Sequence, residues 1–133
     1  MMGESLLEIK NLSICCGDRV LLKGGNLILK RGFSIGVFGD SGSGKSVFSL
    51  FLMGLLNSDR FSVLADRAQF NHNDYNFNLL SKNFSEWNRF RSNYISLVFQ
   101  DSTASLNPTI TCGNQLKEAV FKKNKRSLKS LCI

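Results

Sequence analysis

The stretch Gly39-Asp40-Ser41-Gly42-Ser43-Gly44-Lys45-Ser46 decides how the rest of this chain is interpreted. It fits the pattern G-x-x-x-x-G-K-[ST], a loop whose backbone N–H groups surround the phosphates of a nucleotide. The flanking residues agree with this, because the apolar run 34–38 predicts a buried strand and 47–56 predicts a buried helix. A strand, a glycine-rich loop and a helix is the order that the motif requires. The stretch therefore predicts a phosphate-binding site, the alternative being a glycine-rich turn that binds nothing.

Each residue type in the loop has a chemical reason to be there. Glycines allow positive φ angles and let successive N–H groups point at one anion. A helix that starts near Gly44 adds unpaired N–H groups and the positive end of its dipole. Lys45 is expected to reach the β- and γ-phosphates, and the Ser46 hydroxyl to bind Mg²⁺. The predicted nucleotide-binding residues in this stretch are Gly39, Asp40, Ser41, Gly42, Ser43, Gly44, Lys45, Ser46 and Val47.

The composition is that of a globular protein. The chain has 133 residues, 43% hydrophobic and 20% charged, enough for one domain at most. Residues 1–5 lack the basic and apolar regions of a signal peptide. The most apolar stretch, 47–56, is far shorter than the ~20 residues that span a bilayer. We expect a cytoplasmic protein.

The net charge of +7 does not point to nucleic acid. Six basic residues and one acid lie from Lys117 onward, so the first 116 residues carry only +2. A basic tail with no interleaved aromatic residue beyond Phe121 is typical of a solvated face. The four cysteines (15, 16, 112 and 132) have no C-x-x-C spacing and are expected to be free thiols. His72 has no partners at metal or triad spacing and is expected in a loop.

The remaining pattern predicts an antiparallel sheet ahead of the strand that precedes the phosphate loop. Segments 6–14, 20–22 and 26–30 read as strands joined by short connections. Further strands are predicted at 62–70 and 94–99, and a helix at 113–124. Trp87 and Phe90, three residues apart, are expected to share the buried face of a short helix.

A second cluster of residues, 95–108, distinguishes between the classes of P-loop protein that could contain this loop. Residues 95–108, Ile-Ser-Leu-Val-Phe-Gln-Asp-Ser-Thr-Ala-Ser-Leu-Asn-Pro, closely resemble the Q-loop of ABC-transporter ATPases. The Gln-Asp pair followed by Ser-Leu-Asn-Pro looks specifically like the ATP-binding subunits of dipeptide and oligopeptide importers. Segments 7–12 and 52–56 are similar to the same family. The resemblance covers nearly the whole chain in the right order.

The resemblance implies an incomplete α/β P-loop NTPase fold of the ABC type. Its parts would be an antiparallel β-subdomain at 1–32, a core at 33–100 that runs to the Q-loop, and the start of a helical subdomain at 101–133. Gln100 would approach Mg²⁺ and the attacking water. The implied cofactors are ATP and Mg²⁺. The implied partners are transmembrane permease subunits of a peptide importer and a second ABC ATPase subunit, at the inner face of the cytoplasmic membrane.

The chain also departs from that family. Cys15 or Cys16 takes the place of an aromatic residue that stacks on adenine, and Ser102 replaces a proline usual after the Gln-Asp pair. No Leu-Ser-Gly-Gly-Gln-like signature, no Walker B strand ending in Asp-Glu and no switch histidine follows. The departures predict Mg-ATP binding without hydrolysis by this chain alone, no catalytic residue, and marginal stability. Two alternatives stay open: a half-domain that binds nucleotide or permease without catalysis, and a non-functional remnant of a gene.

Overall fold

The computed structural model describes residues 5–100 and 106–123. The chain divides into two compact units, 1–95 and 96–133, which are described separately. The elements of the first unit are β1 (Ser5–Cys16), β2 (Arg19–Lys30), α1 (Lys45–Leu52), β3 (Phe61–Leu64), β4 (Arg67–His72), β5 (Tyr75–Asn78) and α2 (Phe84–Asn93). The second unit contains α3 (Cys112–Lys123).

The first unit is built on a five-stranded antiparallel sheet with the long strand β1 at its centre. One side of β1 pairs with β2 along its length. On the other side, residues 7–10 of β1 pair with β4 and residues 13–16 pair with β3. Strand β5 extends the sheet beyond β4. The predicted antiparallel sheet ahead of the loop is confirmed, and it continues with strands that come after the loop.

An irregularity at Asn11 keeps the apolar residues of β1 on one face. Asn11 has a φ of +52°, and the pairing with β2 shifts register between Ile9 and Leu12. An extra residue in one strand reverses the alternation of faces. Leu7 and Ile9 are therefore buried on the same side as Leu12 and Ile14, although the spacing between the two pairs is three residues.

The core lies where the two helices of the first unit pack on the sheet. Phe51 of α1 and both Trp87 and Phe90 of α2 are buried, which confirms the predicted helix face. Phe77 of β5 has its ring centroid 4.4 Å from that of Phe90 and 4.8 Å from that of Trp87. Aromatic pairs at these distances add to the stabilisation from burial alone.

Two strand predictions are wrong in the described residues. Segments 34–38 and 94–99 form no strand, and some of their apolar side chains are widely exposed, with Phe38 at 92% and Val98 at 84%. Tyr94 and Ile95, at the start of the second segment, are half-buried against the core. A strand needs a neighbour for its backbone N–H and C=O groups, and no described residue pairs with either segment. The described part of the chain therefore contains only antiparallel pairing.

Three other boundaries differ from the predictions. The first helix ends at Leu52, not at 56, because Gly54 turns the chain with a φ of +61° and its N–H donates to Phe51 O. The predicted strand 62–70 is divided into β3 and β4. The predicted strands 20–22 and 26–30 form the single strand β2. None of the described helices has both the length and the apolar character needed to cross a membrane.

Candidate nucleotide-binding site

The glycine-rich loop is held by a close approach between its last glycine and the sheet. Helix α1 begins at Lys45, and Gly44 precedes it with a φ of +90°. A Cβ atom on Gly44 would lie 2.6 Å from the carbonyl oxygen of Leu21 in β2. No side chain fits at that distance, so the strand fixes where the helix begins. Sequence reasoning missed this supporting role of Leu21, since nothing local in the sequence indicates the contact.

The backbone of the loop leaves N–H groups of the helix start free for an anion. The N–H of Ser43 donates to Asp40 O at 3.2 Å and closes a turn. The N–H of Phe48 donates to Gly44 O at 2.8 Å, the first bond of the helix. The N–H groups of the residues between have no acceptor inside the helix. These donors belong to residues 44–47, of which Ser46 is exposed, Lys45 and Val47 are half-buried and Gly44 is buried.

Lys45 lies across the loop that precedes it. Its Nζ donates to Gly39 O at 2.6 Å, to Asp40 O at 2.5 Å and to Ser43 Oγ at 3.2 Å. In the described part of the chain no carboxylate forms a salt bridge with this ammonium. An uncompensated positive charge beside several N–H donors is suited to a phosphate group.

The hydroxyl of Ser46 has the chemistry to ligate Mg²⁺ when the metal accompanies a nucleotide. Ser46 is exposed and lies in the first turn of α1. Mg²⁺ takes oxygen ligands and is usually held by one or two protein groups together with phosphate oxygens. The residues of the loop therefore fit Mg-ATP, with Lys45 and the N–H groups on the phosphates and Ser46 on the metal.

Gln100 lies in the other unit, 96–133, where it is exposed. Its role at Mg²⁺ stays a prediction. In the same unit, residues 107–110 are held by Gln115 of α3, which accepts from the N–H of Asn107 at 3.0 Å and donates to Ile110 O at 2.8 Å. The departure noted at Ser102 lies outside the described residues.

The β1–β2 hairpin approaches the glycine-rich loop at Leu21, which lies near the turn of the hairpin. Cys15 and Cys16 pair there with Val20 and Arg19, are half-buried, and are free thiols as expected. Beside the loop is a cavity of about 280 Å³, whose mostly apolar walls include Leu22 and Phe48 and whose rim includes Ser43 and Lys45. This cavity was not foreseen, because its walls come from distant segments.

His72 does not lie in a loop, so that expectation is wrong. It is the last residue of β4, and its Nδ1 is 2.8 Å from a guanidinium nitrogen of Arg31. Among the residues that the structure describes, no group of three His, Cys, Asp or Glu side chains could hold a metal ion.

A glycine-rich loop that leads into a helix beginning at Lys45, with Gly44 as its cap, is the arrangement of a P-loop protein. Comparison with protein families makes the class specific. The sequence profile of the ABC transporter family matches residues 22–131, and the chain belongs to that family.

Several relatives among curated proteins are named as peptide-transport ATP-binding proteins. The chain is 36% identical over 129 residues to the dipeptide transport ATP-binding protein DppD of Lactococcus lactis, covering 94% of this chain and 36% of that protein. It is 34% identical over 131 residues to DppD of Bacillus subtilis, covering 96% of this chain and 38% of the relative. It is 35% identical over 123 residues to the oligopeptide transport ATP-binding protein OppD of Escherichia coli, covering 90% of this chain and 35% of that protein.

This chain therefore spans about a third of the length of the curated relatives it matches. No solved structure gave a significant match.

Proposed function

We propose that this chain binds Mg-ATP as the nucleotide-binding part of a peptide ABC importer. The observation that carries the proposal is the start of α1, where Gly44 abuts β2 and the Lys45 ammonium faces the loop with no carboxylate partner among the described residues. The names of the relatives support the choice of ATP and of peptide transport.

In this proposal the triphosphate lies on the loop from Gly39 to Val47. Backbone N–H groups and Lys45 bind phosphate oxygens, Ser46 holds Mg²⁺, and Gln100 contributes from the second unit. The partners are ATP, the permease subunits of the importer and a second ATPase subunit, at the cytoplasmic face of the membrane. The relatives' names support ATP, and the family resemblance supports the permease subunits, the second ATPase subunit and the membrane face.

The proposal is limited to binding. Hydrolysis of ATP needs a positioned water, a base and stabilisation of charge on the γ-phosphate. The residues of this sequence supply the phosphate loop and the amide of Gln100. We propose that turnover requires a carboxylate base from residues outside this sequence.

A thermal-shift titration with Mg-ATP tests the proposal. Binding to the folded state alone stabilises by RT ln(1 + [L]/Kd), about 2.7 kcal/mol at a hundredfold excess over Kd. For a domain of this size that corresponds to a shift of several degrees. The shift should disappear in Lys45→Ala and persist in Lys82→Ala, a matched loss of charge in the exposed turn before α2. Equal shifts in wild type and Lys45→Ala, or no shift in either, would overturn the proposal.

A further inference from the structure

The ammonium group of Lys45 has three N–H donors, and all three have acceptors in the loop. Two are the backbone oxygens of Gly39 and Asp40, at 2.6 and 2.5 Å. The third is the hydroxyl oxygen of Ser43, at 3.2 Å. A phosphate oxygen can receive a hydrogen bond from Lys45 only when one of these bonds is released or shared.

The bond to Ser43 is the one that can be released without reshaping the loop. It is the longest of the three, and its acceptor is a rotatable hydroxyl on an exposed residue. The other two acceptors are backbone carbonyls, whose positions are fixed by the turn from Asp40 to Ser43 and by the approach of Gly44 to β2. A charged phosphate oxygen is also a stronger acceptor than a neutral hydroxyl.

We propose that the Ser43 hydroxyl competes with the nucleotide's phosphates for Lys45 and so lowers the affinity of the loop for triphosphates. This inference rests on the proposed function of the loop. Ser43 is a positioning residue here, because its side chain acts through Lys45. Its backbone N–H bond to Asp40 O does not depend on the hydroxyl and is kept in any variant.

The proposal predicts a gain of affinity when the hydroxyl is removed. Ser43→Ala frees the third donor of Lys45, and we expect Mg-ATP to bind about three- to tenfold tighter, the range for one solvent-exposed hydrogen bond. Ser43→Thr keeps a hydroxyl acceptor, so this gain of affinity should be absent in that variant. Inorganic tripolyphosphate should show the same gain as ATP, because the competition concerns phosphate oxygens and not the base.

Isothermal titration calorimetry of the full chain with Mg-ATP, and separately with magnesium tripolyphosphate, tests this. The matched control is Ser58→Ala, an exposed serine in the turn before β3, which should leave both affinities unchanged. Tighter binding by Ser43→Ala, absent in Ser43→Thr, supports the proposal. Equal or weaker binding by Ser43→Ala overturns it, since the hydroxyl would then be neutral or would itself bind phosphate.

The two proposals fail in different ways. If wild type binds Mg-ATP, Lys45→Ala does not, and Ser43→Ala is no tighter, only the competition is wrong. If wild type shows no binding but Ser43→Ala binds, the competition is supported, whereas the proposed binding of Mg-ATP by the wild-type chain is overturned. If neither protein binds either ligand, the nucleotide-binding function and the competition are both wrong.

Discussion

Gly42 and Gly44 show how two residues with similar φ angles can differ in the side chains they tolerate. Their φ angles are +80° and +90°, in a region that L side chains rarely adopt. A Cβ on Gly42 would meet nothing within 4 Å, whereas one on Gly44 would lie 2.6 Å from Leu21 O. Gly42 is therefore required only for the positive φ angle of the loop. Gly44 is required for a positive φ angle and also for the close packing of the loop on β2.

Alanine substitutions should separate these two effects. We expect Gly42→Ala to lower the free energy of unfolding by about 1–2 kcal/mol, the cost of the left-handed conformation alone. Gly44→Ala adds a collision with the backbone and should cost about 1–3 kcal/mol more. Urea unfolding followed by circular dichroism measures both. Equal losses would mean that the approach of Gly44 to Leu21 is looser than described.

Glu8 is the one acid with resolved ion pairs among the described residues. Its carboxylate is 3.0 Å from Lys10 Nζ and 2.8 Å from Arg67 Nε of β4. The hydrogen bond from Lys10, and then the charges of Arg67 and Lys10, lower the pKa of Glu8 below its ordinary value despite an opposing effect of desolvation. The lowered pKa links these pairs to the pH dependence of stability.

The sign of that dependence follows from the direction of the shift. A lowered pKa in the folded state gives stabilisation that is complete above the ordinary glutamate range and is lost as the pH falls through the folded pKa. We expect Glu8→Gln to be less stable than wild type at neutral pH, by a small amount, and equally stable in strong acid. Thermal melts from neutral pH to below the ordinary pKa of glutamate measure the difference. A constant difference across that range would contradict the assignment.

At the scale of elements, helix α2 begins with an N-cap formed by the side chain of Asn83. The side-chain oxygen of Asn83 accepts from the N–H of Ser85 at 3.0 Å and of Glu86 at 3.4 Å. The helix then buries Trp87, whose Nε1 donates to Ser81 O at 2.8 Å. The cap and the buried ring together fix where the helix starts and how it faces the sheet.

Removing the cap should weaken the first unit without changing its core. Asn83→Ala is expected to cost about 0.5–2 kcal/mol of unfolding free energy, as for other N-cap residues. Asn83→Ser keeps an acceptor and should recover most of the loss. Chemical denaturation of the three proteins measures the effect. Equal losses in both variants would show that the cap contributes little.

At the scale of the whole molecule, the apolar surface is unevenly distributed. Segment 33–38 enters the phosphate loop with Phe33 70% exposed and Phe38 92% exposed, while Phe90 in the core is only 1% exposed. Exposed apolar segments with unpaired backbone groups are sites of association. The expectation of marginal stability stays a prediction.

Polar substitutions in segment 33–38 should therefore improve behaviour in solution. We expect the double variant Phe33→Ser and Phe38→Ser to bind less of the dye 1-anilinonaphthalene-8-sulfonate and to self-associate less, with little change in Tm. Phe90→Ser, in the core, is the contrasting control and should lose several kcal/mol, as large-to-small core changes do. Dye fluorescence, light scattering and thermal melts give the three readouts. A large fall in Tm for the double variant would mean that these rings are packed in solution.

The sequence by itself determined the features that depend on residues close together in the chain. The order of glycines, lysine and serine predicted a loop that leads into a helix, and the loop and helix start are formed there. The spacing of Trp87 and Phe90 predicted a shared helix face, and the short connections in 6–30 predicted antiparallel strands. Each follows from local backbone geometry or from the period of a single element.

Only the tertiary structure decided the features that join distant segments. The shift at Asn11 is a property of the pairing with β2, and the place of Gly44 depends on Leu21, which is 23 residues earlier in the chain. Segment 34–38 has the composition of a strand but forms none, because hydrogen bonds to a neighbour, not apolar residues, make a strand. The three bonds of Lys45 likewise depend on how the folded loop places its oxygens, a geometry that the order of the residues does not specify.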